Sequence, residues 1–379
     1  MQMKLADFLS NPGRLIFLLF CVITIIQLFY YLFFFLRLAF HKARPRNVSQ
    51  THPVSVIICS RDEAANLVKN LPGALVQKYP TTHEVIVVDD NSLDESKYII
   101  EEFQRRFRQL QYIELKQEAR FIPGKKYPLS VGIKTAKHEI VLLTDADCVP
   151  ASEFWIEKMQ EGFTEGIEIV LGYGAMHKTN GLLNKLVRWE TFHTALQYLS
   201  YAKSGLAYMG VGRNLSYKKS VFFRHKGFSA HNHVPGGDDD LFINKAATGK
   251  NTAIVLDKDA FTLSAAPKTW KQWISQKKRH YTTSKYYKAS HKFLLGLYAF
   301  SLFVYYPLWI VSLVIFDWRA VLIAFGVRFL VQALVIYKTT RQLDEKDLFF
   351  WFLFFDVWMF FYYLFFATSI FKKPAKKWK

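Results

Sequence analysis

Two carboxylates one residue apart, directly after a short apolar stretch, are the residues best suited to chemistry. The stretch 140–144 has strand character, and Asp145 and Asp147 follow it. Residues i and i+2 of a strand share a face, and strand carboxyl ends border the ligand crevice of open α/β sheets. Paired carboxylates there suit Mg2+ or Mn2+ carrying a diphosphate. Because Asp is also common in turns, the pair alone leaves a plain surface turn equally open.

Polar residues also follow two other predicted strands. The β-branched run 54–59 precedes Ser60 and Glu63, and the run 85–88 precedes Asp89. The first turn contains neither GxGxxG nor a P-loop, which argues against dehydrogenases and P-loop NTPases. Acids at the ends of the runs 85–88 and 140–144 suit a base, a ribose or a metal instead.

Two further stretches have features of a ligand site. Lys125 and Lys126 begin a predicted helix, where added positive charge favours phosphate, although a solvated lysine pair is an equal alternative. Small residues in 208–217 would let a backbone approach a ligand. Three acids follow two glycines in 236–240, and helix capping accounts for only one of those acids.

Composition favours a membrane protein. The formal net charge is +19, 51% of residues are hydrophobic and 35 are Phe. A basic chain suits nucleic acid, an anionic membrane or a phosphorylated substrate. Long apolar runs beside basic clusters favour the membrane.

Four apolar runs are long enough to span a bilayer: 15–36, 293–316, 321–337 and 348–371. Basic residues follow the first run, which predicts that the chain after it is cytoplasmic. These residues are Arg37, His41, Lys42, Arg44 and Arg46. Three later spans would place the basic tail 372–379 outside, against the charge rule. A re-entrant run and a tail that disobeys the rule both remain open.

Two charges interrupt the last two runs. Intramembrane charges are costly and usually paired, so we predict that Arg328 and Asp356 face each other. The alternative is that each lies near an interface and extends its charge into the headgroups.

The segment 267–292 is basic, contains aromatic residues and has no acid. Such a segment immediately before an apolar run indicates a helix on the membrane surface. Nucleic-acid binding is the less favoured alternative.

Between residues 42 and 290, strand and helix patterns alternate with short connections, which predicts a parallel, doubly wound α/β sheet. Pro72 should stop or kink the first of these helices. The predicted domains are an N-terminal transmembrane helix (1–41), a cytoplasmic domain (42–266), a basic interfacial helix (267–292) and C-terminal transmembrane helices with a basic tail (293–379).

Four stretches together resemble glycosyltransferase family 2, the membrane-attached inverting transferases with a Rossmann-like GT-A fold. They are residues 54–63, residues 87–92, the DxD pair at 145–147 and residues 237–241, the last similar to the family's E-D-x-D-L. The resemblance covers about residues 53–285. It implies a GT-A domain flanked by transmembrane helices.

The resemblance also implies donor-binding roles. Ser60 and Glu63 would line the nucleotide site, and Asp89 would contact the base. Lys125 would approach the ribose or phosphate, and Asp145 would contact the donor.

The remaining implied roles concern the metal and the reaction. Asp147, with Asp145, would hold Mg2+ or Mn2+, and Asp238 would be the catalytic base, although Gly237 replaces the usual glutamate. Residues 276–280 resemble the Q-x-x-R-W motif of processive synthases. Gln276 and Arg279 match that motif, with Arg279 expected to reach the diphosphate.

The expected function is transfer of a sugar from a UDP- or GDP-sugar to a lipid-linked or glycan acceptor at a bacterial inner membrane, with no nucleic-acid partner. The alternatives are a processive polysaccharide synthase and a non-catalytic membrane scaffold or export partner. His280 stands where the processive motif has tryptophan, and few spans are available for a translocation channel. Both features favour a short, discrete product.

Overall fold

The structure, a computed structural model, describes residues 11–42, 51–116, 122 and 124–367. Within them, the residues up to His41 and those from Ala289 onward form one compact unit, and Lys42–Lys288 forms a second. Arg44 and Arg46, the end of the predicted run 348–371 and the tail 372–379 lie outside the described residues.

The described residues form ten strands. They are β1 Val54–Ser60, β2 His83–Asp90, β3 Leu110–Leu115, β4 Ile140–Asp145, β5 Cys148–Pro150, β6 Ile169–Leu171, β7 Gly174–Met176, β8 Leu215–Lys218, β9 Thr252–Ile254 and β10 Thr262–Ser264.

Thirteen α-helices lie in the same residues. They are α1 Pro12–Phe29, α2 Leu36–Ala39, α3 Ala64–Leu75, α4 Ser96–Arg106, α5 Lys126–Thr135, α6 Trp155–Gln160, α7 Leu182–Lys203, α8 Lys219–Arg224, α9 Asp240–Ala246, α10 Trp270–Tyr281, α11 Ala289–Ile315, α12 Trp318–Gln342 and α13 Phe352–Ala367. A π-helical segment, Tyr30–Phe35, joins α1 to α2.

The α/β unit contains a seven-stranded sheet in the order β3-β2-β1-β4-β8-β6-β9. The predicted parallel arrangement holds from β3 to β4, where helices make the crossovers that parallel strands require. It is wrong at β8, which runs antiparallel to both β4 and β6, whereas β6 and β9 are again parallel. The chain reaches β8 from the long helix α7 and the loop after it. A small sheet, β5-β10-β7, lies beside the main one.

The core lies between the parallel strands and their helices. Val56, Val85 and Leu142 of the strands pack in one cluster with Leu71 of α3 and Trp155 of α6. All seven residues of β1 are buried, as expected for a parallel strand covered on both faces. Burial of these runs leaves the polar residues that follow them at the carboxyl edge of the sheet.

Pro72 does not end the helix in which it lies. The helix α3 continues to Leu75. Proline removes one N–H donor, and Pro72 lies in the last turn, where that loss affects few helical bonds. The N–H of Val76 donates to the Pro72 carbonyl at 3.0 Å, which completes the helix end.

The unit formed by the residues up to His41 and from Ala289 onward contains four helical segments long and apolar enough to cross a membrane, as predicted. They are Pro12–Ala39, Ala289–Ile315, Trp318–Gln342 and Lys346–Phe366. Each carries many exposed apolar side chains, such as Ile25, Val314, Ile323 and Leu330. Exposed apolar surface of this extent is what a helix facing lipid tails requires.

The predicted pairing of Arg328 with Asp356 is confirmed. Arg328 Nη2 lies 2.9 Å from Asp356 Oδ2, and both side chains are buried. Gln332 and Tyr306 also donate to the Asp356 carboxylate, at 2.6 and 2.5 Å, and Arg328 donates to Gln27 Oε1 at 3.3 Å. All four apolar segments therefore contribute to one polar cluster.

We expect Arg328→Gln and Asp356→Asn each to destabilise the protein by about 3 kcal/mol, because each leaves a buried charge without its partner. The double variant should cost clearly less than the sum, since it removes both charges together. Thermal unfolding in detergent of the two singles and the double measures this coupling. Arg319→Gln, at an exposed position near the start of the same helix, is the control. Simple additivity would contradict the coupling.

Candidate active site

Three neighbouring parallel strands bring predicted site residues to one edge of the sheet. In the register of β1 with β2, Ser60 lies opposite Asp89. In the register of β1 with β4, Cys59 lies opposite Asp145. The polar residues that end these strands are therefore neighbours.

The turns after β1 and β2 are tied to each other. Asp62 and Asn91 adopt left-handed backbone conformations (φ 52° and 57°), which Asp and Asn tolerate better than most residues. The Asp62 N–H donates to Ser92 Oγ at 2.9 Å, and the Leu93 N–H donates to Asp62 Oδ1 at 2.7 Å. These bonds hold the two turns together as one rim.

Asp89 is buried and its carboxylate is fixed on both oxygens. Oδ1 accepts from the Ser92 backbone N–H at 3.1 Å and from the Ser92 hydroxyl, and Oδ2 accepts from Tyr112 Oη at 3.1 Å. The Ser60 hydroxyl is also buried but has no hydrogen-bond partner among the described residues. Ser60 therefore keeps an unused donor and acceptor at the sheet edge.

Glu63 lies just before α3 and accepts from Asn66 Nδ2 at 2.5 Å. Its backbone N–H donates to Ser96 Oγ at 3.3 Å. Glu63 thus joins the rim formed by the two turns.

Asp145 forms an ion pair with Lys125, whose side chain is only 8% exposed. Burial alone would lower the pKa of Lys125, but attraction to Asp145 and Asp238 outweighs it and raises the pKa. Burial alone would raise the pKa of Asp145, but the Lys125 charge outweighs it and lowers the pKa. The pair is therefore fully charged at neutral pH.

The exposed Asp147 completes the acid pair. Asn70 Nδ2 donates to the backbone carbonyl of Ala146 at 3.0 Å, which fixes the residue between the two acids. Ligand atoms of Asp145, Asp147 and Cys148 all lie within 4.8 Å of one another. Burial and the two carboxylates raise the pKa of the Cys148 thiol. Sulfur suits softer metals than Mg2+ or Mn2+. The two carboxylates fit a hard cation such as Mg2+ or Mn2+.

The two predicted helix-initiating lysines have different surroundings. Lys125 faces the acid pair, whereas Lys126 donates to the carbonyls of His231 (2.5 Å) and Val234 (2.7 Å). Burial lowers the pKa of Lys126 to about 8. Gly124 adopts φ +82°, and a Cβ there would collide with the Pro235 carbonyl. Lys126 and Gly124 thus hold the loop that leads to Asp238.

Both carboxylate oxygens of Asp240, the third of the consecutive acids, accept hydrogen bonds. Its Oδ2 accepts from Thr283 Oγ1 at 2.5 Å and from Tyr287 Oη at 2.7 Å. Its Oδ1 accepts from the Leu241 N–H at 2.7 Å. Asp240 therefore anchors the segment after α10.

Asp239 and Asp238 differ in the hydrogen bonds that their carboxylates accept. Asp239 accepts from the N–H groups of Gly212 and Asp240, both at 2.7 Å. Burial, with repulsion from Asp238 and Asp240, raises its pKa to about 8, so it is mostly neutral at pH 7. Asp238 is partly buried and accepts no hydrogen bond from the residues that the structure describes. Of the three acids, Asp238 has the carboxylate that is available to a substrate hydroxyl.

The structure explains why glycine occupies position 237, where the E-D-x-D-L pattern has glutamate. Its φ is +90°, and a Cβ would collide with the Leu241 side chain. The turn into α9 therefore requires glycine in this chain.

The helix α10 begins with a capping box between Thr269 and Gln272. Trp273 is buried, and Lys277 forms a buried ion pair with Glu190 of α7. Arg279 lies near the other end of α10. Its charge lowers the pKa of Asp145, although less than the charge of Lys125 does. The charge of Arg279 therefore acts on the acid pair from α10.

Gln276 is partly buried and forms no hydrogen bond within the described part of the chain, so its donor-binding role stays a prediction.

Arg213 is a site residue that the sequence did not single out. Its Nη1 donates to Ser264 Oγ at 2.8 Å, and its charge acts on both Asp145 and Asp147. The sequence could have indicated this role through the position of Arg213. It directly follows residues 210–212, in the stretch whose backbone is predicted to approach a ligand.

The sheet and the acids at its edge together define the class of fold. The chain has a mixed α/β sheet whose parallel strands end at an acidic edge, the arrangement of GT-A glycosyltransferases. Residues 55–226 match the family model described as Glycosyl transferase family 2. The match covers the acid pair and Lys125 and ends before Asp238.

Parts of the chain also match curated proteins. A segment of 123 residues is 32% identical to Glycosyltransferase AglE of Haloferax volcanii, and one of 117 residues is 29% identical to Beta-monoglucosyldiacylglycerol synthase of Nostoc sp.. These segments are 32% and 29% of this chain. The chain spans only 36% and 25% of the length of those two relatives.

A solved structure has the same fold. Mannosyltransferase PcManGT from Pyrobaculum calidifontis, in complex with GDP-Man and Mn2+, matches with a TM-score of 0.55 at 19% identity. The match covers 89% of this chain and 99% of that one.

Proposed function

We propose that the chain is a membrane-integrated, inverting glycosyltransferase that moves a sugar from a UDP- or GDP-sugar to a lipid-linked or glycan acceptor. The observation that carries the proposal is the grouping of acids and cations at one edge of the sheet. There the Asp145–Lys125 pair lies beside Asp147, the charges of Arg213 and Arg279 act on Asp145, and Asp238 interacts electrostatically with Lys125.

The donor nucleotide would bind along the rim at the ends of β1 and β2. Asp89, fixed by Ser92 and Tyr112, would hold the base, and the unpartnered Ser60 hydroxyl would bond the nucleotide. Glu63 would line the same pocket. Lys125 and Asp145 would contact the ribose and phosphates, with Gln276 approaching from α10.

Asp147, together with Asp145, would hold Mg2+ or Mn2+. The bound ion would neutralise charge that develops on the departing diphosphate. Support comes from the carboxylate donor set and from the Mn2+ in the complex of PcManGT. Arg279 and Arg213 would add fixed positive charge to the same leaving group.

Asp238 would act as the general base. Inversion requires one in-line displacement at the anomeric carbon, in which the acceptor oxygen forms the new bond as the bond to the diphosphate breaks. The acceptor hydroxyl would pass its proton to the Asp238 carboxylate, which accepts no other hydrogen bond from the described residues.

We further propose that the organisation follows the predicted domains: a transmembrane helix (1–41), a cytoplasmic catalytic domain (42–266), a basic interfacial helix (267–292) and C-terminal transmembrane helices (293–379). The location would be a bacterial inner membrane. Four apolar helical segments and the basic residues after the first one support this arrangement.

The distinguishing experiment is product length in reconstituted membranes with excess donor. We expect a discrete product extended by one or a few sugars, because His280 offers a smaller stacking face than tryptophan. A ladder reaching high-molecular-weight polymer would instead identify a processive synthase.

A further inference from the structure

The helix α9 holds the segment that follows α10 through two buried polar side chains. Asp240 and Asn244 are four residues apart and therefore lie on one face of α9. The hydroxyl groups of Thr283 and Tyr287 donate to Asp240 Oδ2 at 2.5 and 2.7 Å. The backbone N–H of Lys288 donates to Asn244 Oδ1 at 3.0 Å. One face of α9 thus binds the segment at both of its ends, and all of these residues belong to the α/β unit.

The bonds to Asp240 are removed from water. Asp240, Thr283 and Tyr287 are 7%, 6% and 8% exposed. Hydrogen bonds to a carboxylate are stronger than those between neutral groups, and a buried carboxylate that loses its donors is costly. We call these three residues the Asp240 clamp. The clamp therefore fixes α9 and the segment after α10 against each other.

Asp238 lies between two stretches of chain that are held in place. Before it, Lys126 donates to two carbonyls of the loop 231–234. Two residues after it, the Asp240 clamp holds the chain. The Asp238 side chain accepts no hydrogen bond from the described residues. The bonds on either side of Asp238 therefore determine where its carboxylate lies.

The clamp also extends to the end of α10. The Thr283 hydroxyl lies 3.0 Å from the backbone carbonyl of His280, in the last turn of that helix. A hydroxyl has one hydrogen to donate, and the shorter distance assigns it to Asp240. The clamp thus joins the turn that carries Asp238 to the helix that carries Arg279.

We propose that Thr283 and Tyr287 are positioning residues of sugar transfer, which act through Asp240 to hold the Asp238 carboxylate where an acceptor hydroxyl can meet it. Neither hydroxyl takes part in the reaction itself. The effect on the rate rests on the proposed function, whereas the clamp itself does not.

The test removes each hydroxyl and keeps the shape of its side chain. Thr283→Val and Tyr287→Phe should each lower kcat by about 10-fold or more, because small displacements of a reacting group have large effects on rate. The KM for the donor should change little, and Thr283→Ser, which keeps the hydroxyl, should retain most of the parent kcat. Initial rates over a range of donor concentrations measure both quantities. Parent values of kcat in both variants would overturn the proposal, as would a rise in KM alone.

Two comparisons separate positioning from a general loss of stability. Ser55→Ala removes another buried hydroxyl that donates to a carboxylate, that of Glu84 at 2.6 Å near the start of β1, and it should keep the parent kcat. In the Asp238→Asn background, Thr283→Val should slow transfer far less than it does in the parent, because the group that it positions is already lost. Full multiplication of the two losses would overturn the positioning role.

Hydrogen exchange tests the clamp without any assay of transfer. Mass spectrometry of the full-length protein in detergent follows exchange in peptides that cover 234–246 and 276–288. Thr283→Val should speed exchange in both sets of peptides, because it removes a bond that joins them, and Ser55→Ala should change neither. Unchanged exchange in the peptides of 234–246 would overturn the clamp.

The outcomes separate this inference from the proposed function. Transfer by the parent with the same kcat in both clamp variants would overturn the positioning role and leave the glycosyltransferase intact. Faster exchange in both segments, with no transfer by the parent, would support the clamp and count against the proposed function.

Discussion

The Asp238→Asn variant is expected to transfer sugar ~10²–10⁴-fold more slowly than the parent, the usual cost of losing a general base. Asparagine keeps the size of the side chain but cannot accept the proton of the acceptor hydroxyl. Donor affinity should change little, because Asp238 would meet the acceptor and not the nucleotide. Initial rates at saturating donor, with donor affinity measured by calorimetry, separate the two quantities.

The neighbouring acid provides a matched control. The pKa of Asp239 is raised to about 8, so Asp239→Asn replaces a mostly neutral group with another neutral group at pH 7. It should retain the bond from the Gly212 N–H and a transfer rate within a few-fold of the parent. A near-normal rate for Asp238→Asn, or an equal collapse of both variants, would contradict the assignment of Asp238 as base.

The Asp147→Asn variant is expected to lose Mn2+-dependent nucleotide binding while remaining folded. Asp147 is exposed, so the substitution removes a metal-binding charge without disturbing the core. Binding of UDP and GDP with and without Mn2+ measures the effect, and circular dichroism confirms the fold. Retention of metal-dependent binding at the affinity of the parent would remove the metal role.

Cys148→Ala tests whether the third member of the group contributes. Mn2+ prefers oxygen ligands to sulfur, so we expect the variant to keep Mn2+-dependent binding. A loss equal to that of Asp147→Asn would show that the sulfur belongs to the metal site.

Much of this arrangement was predictable because it depends on strong physical constraints. A continuous apolar run must be covered on both faces, which predicted β1, β2 and β4 and placed Ser60, Asp89 and Asp145 at one edge. The high cost of a charge in lipid predicted the pairing of Arg328 with Asp356.

Other features depend on tertiary contacts that no local pattern contains. The strand β8 is four residues long, so its sequence does not show that it runs antiparallel. Lys125 and Lys126 are identical and adjacent, yet one pairs with Asp145 and the other holds the loop 231–234. The role of Arg213 follows from strands that meet only after folding.

The measurement that tests the central claim most directly is a panel of UDP- and GDP-sugars offered to the full-length protein in detergent, with binding and slow donor hydrolysis measured with and without Mn2+. We predict that at least one nucleotide sugar binds in a Mn2+-dependent manner and is hydrolysed. Absence of binding and hydrolysis across the panel would contradict the account and favour a scaffold that keeps the fold without turnover.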